Sequence, residues 1–332
     1  MTATIRVHVI TFRRPRLLKR CLESVRAQTF GDWTLEVLND DPSDGRVAEL
    51  IRELDDPRIR LSEPCIHRGA TANFNHAFRP LDEPFASILE DDNWWEPGFL
   101  ATMLAALERH PDTELACGNE RLWTEEADGS WTDTHTTIWP DHAGEALFFP
   151  QLADLCGRAK LCNSSLLYRT RRSAHWRTPD SIPVDVTEHF RERVVPTPFL
   201  LVHAPLTNYA VTRHTARSNR REIWGGYQLL LVGSVFSLLP SESRRALAAS
   251  LFAKLRPSGY VATAGLLGAG FLIPEAGELW RQATPREKLR FAASSLRHLG
   301  SFLALRQFRL RHRADWDFLV SAQAAASIRR FA

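Results

Sequence analysis

The chain has 332 residues, of which 44% are hydrophobic and 24% charged, and its formal net charge is +3 at pH 7. That length buries a large core, and the composition is that of an ordinary globular protein rather than a fibrous or intrinsically disordered one. So small a net charge gives no electrostatic ground for a nucleic-acid partner. The five cysteines, Cys21, Cys65, Cys117, Cys156 and Cys162, are scattered with no CxxC pair. The N-terminal residues run straight into a strand-like stretch that leaves no room for a signal peptide. A reduced, cytoplasmic protein with buried thiols is expected.

The first half alternates strand-like and helix-like stretches, the pattern of a mostly parallel sheet flanked by helices. Ile5–Ile10 is a β-branched run. After Pro15, the stripe Leu17, Leu18, Cys21, Leu22 and Val25 reads as a helix with proline in its first turn. Trp33–Leu38 reads as the second strand and ends in the acidic turn Asn39-Asp40-Asp41-Pro42-Ser43-Asp44-Gly45. A helix over 47–54, a strand over 58–61 and a helix over 71–78 follow. Phe85–Leu89 is a further strand, interrupted by Glu90-Asp91-Asp92-Asn93, and Pro97 opens a helix towards His110. Beyond it, Asp128-Gly129 marks a hairpin turn, and 163–169 and 199–204 read as strands. From about residue 219 the pattern is helical, with a capping box at Thr284-Pro285-Arg286-Glu287. The apolar stretches 227–239 and 260–273 are shorter than the roughly 20 residues of a bilayer crossing, so buried helices are expected there.

Polar turns thus fall repeatedly at the carboxyl ends of strands, the edge where open α/β sheets bind ligands. Glu90-Asp91-Asp92 alone reads equally as a solvated acidic turn, a helix-start charge cluster or a site for a divalent cation bridging phosphates. A second acidic turn at Asn39-Asp40-Asp41, with Thr11-Phe12-Arg13-Arg14 on a third strand, makes the combination more specific. Carboxylates can hydrogen-bond a base, and arginines can hold diphosphate oxygens.

These segments resemble glycosyltransferase family 2 in order and content. The resemblance runs through Val7–Pro15 and Cys21–Thr29, then Leu38–Gly45, Gly69 with Asn75, and Leu89–Pro97, and it extends over roughly residues 5–215. It implies a GT-A fold: a Rossmann-like, mostly parallel α/β sheet flanked by helices, here over 1–219, followed by a helical C-terminal region over 220–332. It implies inverting transfer from a nucleoside-diphosphate sugar with Mn²⁺ or Mg²⁺ as cofactor, and the lack of the Gln-x-x-Arg-Trp segment that marks processive members favours a single, non-processive addition. UDP is favoured only as the commonest base carrier among relatives. Thr11, Phe12, Arg14, Asp40, Arg68, Asn75 and Asp91 then fall in nucleotide-binding segments, with Asp40 at the base. Asp92 is the first choice of metal ligand, with Glu90 and His214 as further candidates. Glu90 stands where the family usually has Asp, and Asn39 replaces an acid often found there. The acceptor-side base is Asp185, with Glu188 as rival; read alone, either is an ordinary acid at a helix start. The acceptor is left open among glycans, lipids, peptides and small molecules.

The C-terminal helices carry many arginines among Leu, Phe and Trp residues, which suits a homodimer interface, core packing or peripheral contact with the inner face of a membrane. Two competing readings are a nucleotidyltransferase, which would normally carry a glycine-rich loop after the first strand, and a non-catalytic binding or scaffold protein of the same fold.

Overall fold

The computed structural model describes residues 4–62, 66–140, 144–195, 197–213 and 221–330. Contacts divide the chain into two compact units: Met1–Phe149, Lys160–Val184 and Thr197–Ala216 in the first, and Pro150–Ala159, Asp185–Pro196 and Arg217–Ala332 in the second.

The first unit is built on one mixed sheet. β1 (Ile5–Thr11) is a β-branched run buried on both faces, which makes it a central strand. It pairs in parallel with β2 (Trp33–Asn39) on one side and β4 (Phe85–Glu90) on the other, and β3 (Ile59–Ser62) extends the parallel set beyond β2. Past β4 the order continues through β9 (Leu166–Arg169), β6 (Leu115–Glu125), β10 (Phe199–Val211) and the short β5 (Trp94–Trp95). β9 runs antiparallel to both its neighbours, and β6 and β10 run parallel to each other. β7 (Trp131–Thr137) folds back on β6 through the expected turn, where Gly129 takes φ +82, and β8 (Glu145–Phe148) pairs with β10. α1 (Pro15–Arg26) buries Leu18, Cys21, Leu22 and Val25, and α4 (Phe99–Arg109) buries Phe99, Leu100, Met103 and Leu107. Both stripes belong to one core with Val7, Val9, Leu35, Val37 and Leu89. Cys21, Cys117 and Cys162 are buried, and none of the described cysteines forms a disulfide.

Two expectations change. Residues 163–169 are not one strand: Asn163–Ser165 forms a 3₁₀ turn, closed by the Ser165 amide donating to the Cys162 carbonyl, before β9 begins. Asn and Ser compete with strand pairing through their own side chains, which is why the turn forms there. The strand expected over 199–204 runs on to Val211, with its register shifting around Pro205, which has no N–H to donate.

The second unit is helical. It contains α5 (Leu152–Leu155), α6 (Thr187–Val194), α7 (Arg221–Ser237), α8 (Ser241–Leu255), α9 (Tyr260–Leu272) and α10 (Gly277–Gln282). These are followed by α11 (Pro285–Arg297), α12 (Leu299–Arg306), α13 (Phe308–Arg311) and α14 (Arg313–Arg330). The capping box at Thr284 and Glu287 is formed. The two apolar stretches are helices whose middles are buried, and no described helix is long and apolar enough to cross a membrane. The fully buried Arg193 donates to the carbonyls of His189, Leu155 and Leu231, tying α5, α6 and α7 together. Glycines allow close approach here: a Cβ on Gly270 would stand 2.5 Å from the Trp280 amide nitrogen and 2.8 Å from the Leu279 Cβ. Gly270→Ala is therefore expected to destabilise the protein by about 1–3 kcal/mol in chemical denaturation. Gly31→Ala, where nothing lies within 4 Å, should change stability by under about 0.5 kcal/mol.

Candidate active site

The parallel register sets Thr11 opposite Asn39 and Ile10 opposite Glu90, so the carboxyl ends of β1, β2 and β4 lie side by side. A cavity of about 210 Å³ opens at this edge, lined by Thr11, Phe12, Arg14, Asp40, His67, Phe74, the three acids Glu90 to Asp92, and Val184. The two acidic turns and the β1–α1 connector therefore meet in space, as their spacing predicts.

At the centre is Asp91, buried between the ends of β1 and β4. Its Oδ2 accepts from the Thr11 hydroxyl at 2.7 Å and the Phe12 amide at 3.4 Å, and its Oδ1 lies 3.4 Å from Arg14 Nη1. The same guanidinium nitrogen donates to Asp92 Oδ2 at 2.6 Å. Burial pushes the Asp91 carboxyl up to about 7, with Arg14 opposing that shift and the neighbouring Asp92 adding to it. Burial works against the charge on Arg14, but Asp91 and Asp92 outweigh it and raise its pKa.

The connector reaches this arrangement through Arg13, a non-glycine residue at φ +59. The left-handed turn sends Arg14 to the Asp91–Asp92 pair, while Arg13 Nε donates to Asp41 Oδ2 at 2.5 Å. Asp41 is held down to about 2 by the Ser43 hydroxyl first and Arg13 second. Asn39 closes an Asx turn, its Oδ1 accepting from the Asp41 amide and its Nδ2 donating to the Asp41 carbonyl. The residue where relatives often carry an acid thus shapes the loop that carries Asp40.

Asp40 is buried, and its two carboxylate oxygens accept from the Arg68 amide at 2.7 Å and the Gly69 amide at 3.0 Å; His67 Nδ1 lies 2.8 Å from Oδ2. Gly69, at φ +90, starts α3 (Ala70–Ala77). The Arg68 side chain is exposed and does not line the cavity, which His67 does; the His67 ring packs 4.9 Å from that of Phe12. Asn75 is also absent from the lining. Its amide donates to the Thr178 carbonyl and Asp180 Oδ1 and accepts from the Thr178 amide, while Thr71 Oγ1 donates to the Ile182 carbonyl. α3 thereby anchors the segment that delivers Val184 to the cavity.

Ser164, not among the site residues expected from the sequence, pins the acidic turn. Its hydroxyl donates to Glu90 Oε2 at 2.9 Å and accepts from the Glu90 amide and Asn93 Nδ2, which uses the full capacity of one hydroxyl. Arg20, also missed, donates to the Asp92 carbonyl at 2.6 Å and lies over the rings of Trp94 and Trp131. Its burial lowers the guanidinium to about 10. Neither signal is visible one residue at a time, because both depend on contacts across more than 70 positions.

Asp185 and Glu188 lie in the second unit, Asp185 in the 3₁₀ turn Val184–Val186 directly after the cavity-lining Val184, and Glu188 in the first turn of α6. His214 lies outside the described residues. Among those described, no cluster of three or more His, Cys, Asp or Glu side chains is placed to hold a metal by itself. A hard-oxygen donor is nonetheless present: Asp92 lines the cavity with its side chain 17% exposed, whereas Asp91 is buried and Glu90 is held by Ser164. That donor set suits a cation whose remaining ligands come from a substrate's phosphates and water.

Comparison with known proteins agrees with this geometry. The family model described as Glycosyl transferase family 2 matches residues 6–170, a shorter stretch than the resemblance read from the sequence. WcaA of Escherichia coli, named for a colanic acid biosynthesis glycosyl transferase, is 28% identical over 102 residues, covering 30% of this chain and 37% of WcaA. The protein y4gI of Sinorhizobium fredii is 28% identical over 112 residues, covering 32% of this chain and 12% of y4gI. The chain thus spans 37% of the length of WcaA and 12% of that of y4gI. Among solved structures, S. aureus TarS 1–349 in complex with UDP-GlcNAc has a TM-score of 0.56 at 14% identity, covering 98% of this chain and 91% of that one. The chain belongs to glycosyl transferase family 2 through residues 6–170, and its fold is that of the GT-A enzymes.

Asn75→Ala would leave the buried Thr178 backbone groups without their side-chain partner. It is expected to lower stability by about 2 kcal/mol and to speed proteolytic cleavage within 178–184.

Proposed function

We propose that this chain is an inverting, non-processive glycosyltransferase that moves a sugar from a nucleoside-diphosphate donor to an acceptor hydroxyl or similar nucleophile. The observation that carries the reading is the convergence of Asp40, Arg14 and the Asp91–Asp92 pair on one cavity at the carboxyl edge of the parallel strands. UDP is the first donor nucleotide to test, because it is the commonest among relatives and because UDP and UDP-GlcNAc are the ligands of the TarS complexes.

In this reading the nucleobase lies against Phe12 and His67 and meets Asp40, whose Oδ1 keeps a lone pair beyond the Arg68 amide it accepts. Asp92 would hold a divalent Mn²⁺ or Mg²⁺, whose other ligands would come from the donor's phosphates and water, with Glu90 close by in its bond to Ser164. When bound, such a cation supplies charge neutralisation to the departing diphosphate. Arg14 presents a guanidinium to the same charge, and Thr11 fixes the acidic pair from behind. The acceptor oxygen forms a bond to the anomeric carbon as the bond from that carbon to the diphosphate oxygen breaks. The acceptor proton goes to Asp185, or to Glu188 if the later acid is the base, and the nucleoside diphosphate departs.

The region over 1–219 is assigned the chemistry, and 220–332 a supporting role. A nucleotidyltransferase fits less well: the connector Thr11–Arg14 has no glycine and closes through a strained Arg13 rather than a glycine-rich loop.

The test is a donor panel assayed for turnover with Mn²⁺ and with EDTA, water serving as acceptor. Release of nucleoside diphosphate is expected; pyrophosphate release in a parallel assay supplied with a nucleoside triphosphate and a sugar 1-phosphate would contradict the assignment. Asp185→Asn should lower turnover by about 10²- to 10⁴-fold with donor affinity unchanged. If it does not, and Glu188→Gln does, the base is Glu188.

A further inference from the structure

α11 and α12 bury none of their residues, although α12 contains Leu299, Phe302, Leu303 and Leu305. Leu289, Leu296, Leu299, Leu303 and Leu310 are 47–79% exposed, far more apolar side chain than a free surface normally concentrates in one stretch. Leu289 and Leu296 are seven residues apart on α11, and Leu299 and Leu303 four apart on α12, so each pair projects from one side of its helix. Both helices rest on an aromatic cluster of Phe271, Trp280, Phe291 and Phe302, whose neighbouring ring centroids lie 4.9–6.3 Å apart. The cluster braces the leucines from below without covering them.

The same stretch is strongly cationic. Residues 285–313 carry eight Lys and Arg side chains against one acid, Glu287. Glu287 is already engaged by Arg256 and the Thr284 cap. Arg286, Arg297 and Arg306 have no acidic partner among the described residues. A cavity of about 140 Å³ lies on this surface, lined by Arg256, Tyr260, Thr263, Arg286 and Arg290 together with Glu287, whose charge Arg256 already offsets. Gly259, the N-cap of the 13-residue α9, also lines it, which adds the positive end of a helix to the guanidinium groups.

We infer that this face of the helical unit docks on an anionic lipid bilayer, with the leucines entering the acyl boundary and the arginine-lined cavity receiving a lipid phosphate. Exposed leucines interleaved with unpaired cations are what an interfacial, non-spanning surface requires. A second copy of the chain fits poorly, because a two-fold contact through this face would set Arg286, Arg297 and Arg306, which have no acidic partner among the described residues, against the same three. The inference is independent of the glycosyl-transfer reading, since it uses no residue of the cavity at the sheet edge.

The test is co-sedimentation of the full chain with vesicles of phosphatidylcholine alone and with about one-third phosphatidylglycerol. Binding only to the anionic vesicles is expected, weakening as salt rises. Leu296→Glu with Leu299→Glu, and separately Arg286→Glu with Arg297→Glu, should each lower partition on the order of tenfold or more. All four sites are exposed, and circular dichroism and thermal melting should match the parent chain. Three results would overturn the inference: no sedimentation with anionic vesicles, equal binding to neutral ones, or a concentration-dependent dimer that Leu296→Glu with Leu299→Glu abolishes while vesicle binding is absent.

Discussion

A carboxylate removed from water needs a positive or hydrogen-bonding neighbour, and Asp91 imposes that demand at the point where β1 and β4 end. Thr11, the Phe12 amide and Arg14 all answer it from the segment after β1. Because one guanidinium serves both Asp91 and Asp92, the second acid is held at the cavity wall rather than drawn into the core. The strained Arg13 backbone follows from the same demand, since the connector must turn sharply enough to send one arginine inward and the other to Asp41.

The supports come from far along the chain. Ser164 holds the acidic turn from the 3₁₀ turn before β9, and Arg20 holds its Asp92 carbonyl from α1. On the opposite wall, Asp40 fixes the start of α3, and α3 fixes the 178–182 segment through Thr71 and Asn75. A nucleotide-sized ligand would therefore meet side chains whose orientations are already set, which is the condition for precise positioning.

The parts of this arrangement that were legible in the sequence are those with local causes. The β-branched run of β1, the stripe of α1, the Thr284 capping box and the acidic turns after β2 and β4 each announce themselves within a dozen residues. Asn75 was legible as a motif residue but not in its placement: the spacing from Gly69 marks the segment, whereas the three hydrogen bonds to 178–180 arise only on folding. Arg68 shows the same limit: its loop reaches the cavity edge, but it is the adjacent His67 that lines it, and which of the two turns inward is decided by how Asp40 grips the backbone amides. The 3₁₀ turn at Asn163–Ser165 escaped the strand reading because short polar side chains override a run of strand-like neighbours. The apolar positions of α11 were compatible with core packing, a homodimer interface or membrane contact; their exposure depends on which neighbours are present, which periodicity does not encode.

The cavity beside Asp92 is expected to bind a nucleoside diphosphate with a divalent cation. Calorimetric titration with UDP, GDP, dTDP and CDP, each with Mn²⁺ and with EDTA, tests it on the parent chain and on Asp92→Ala. At least one nucleotide is expected to bind with Mn²⁺, and EDTA or the substitution to remove that binding. Binding that survives both, or no binding by any of the four, would contradict it.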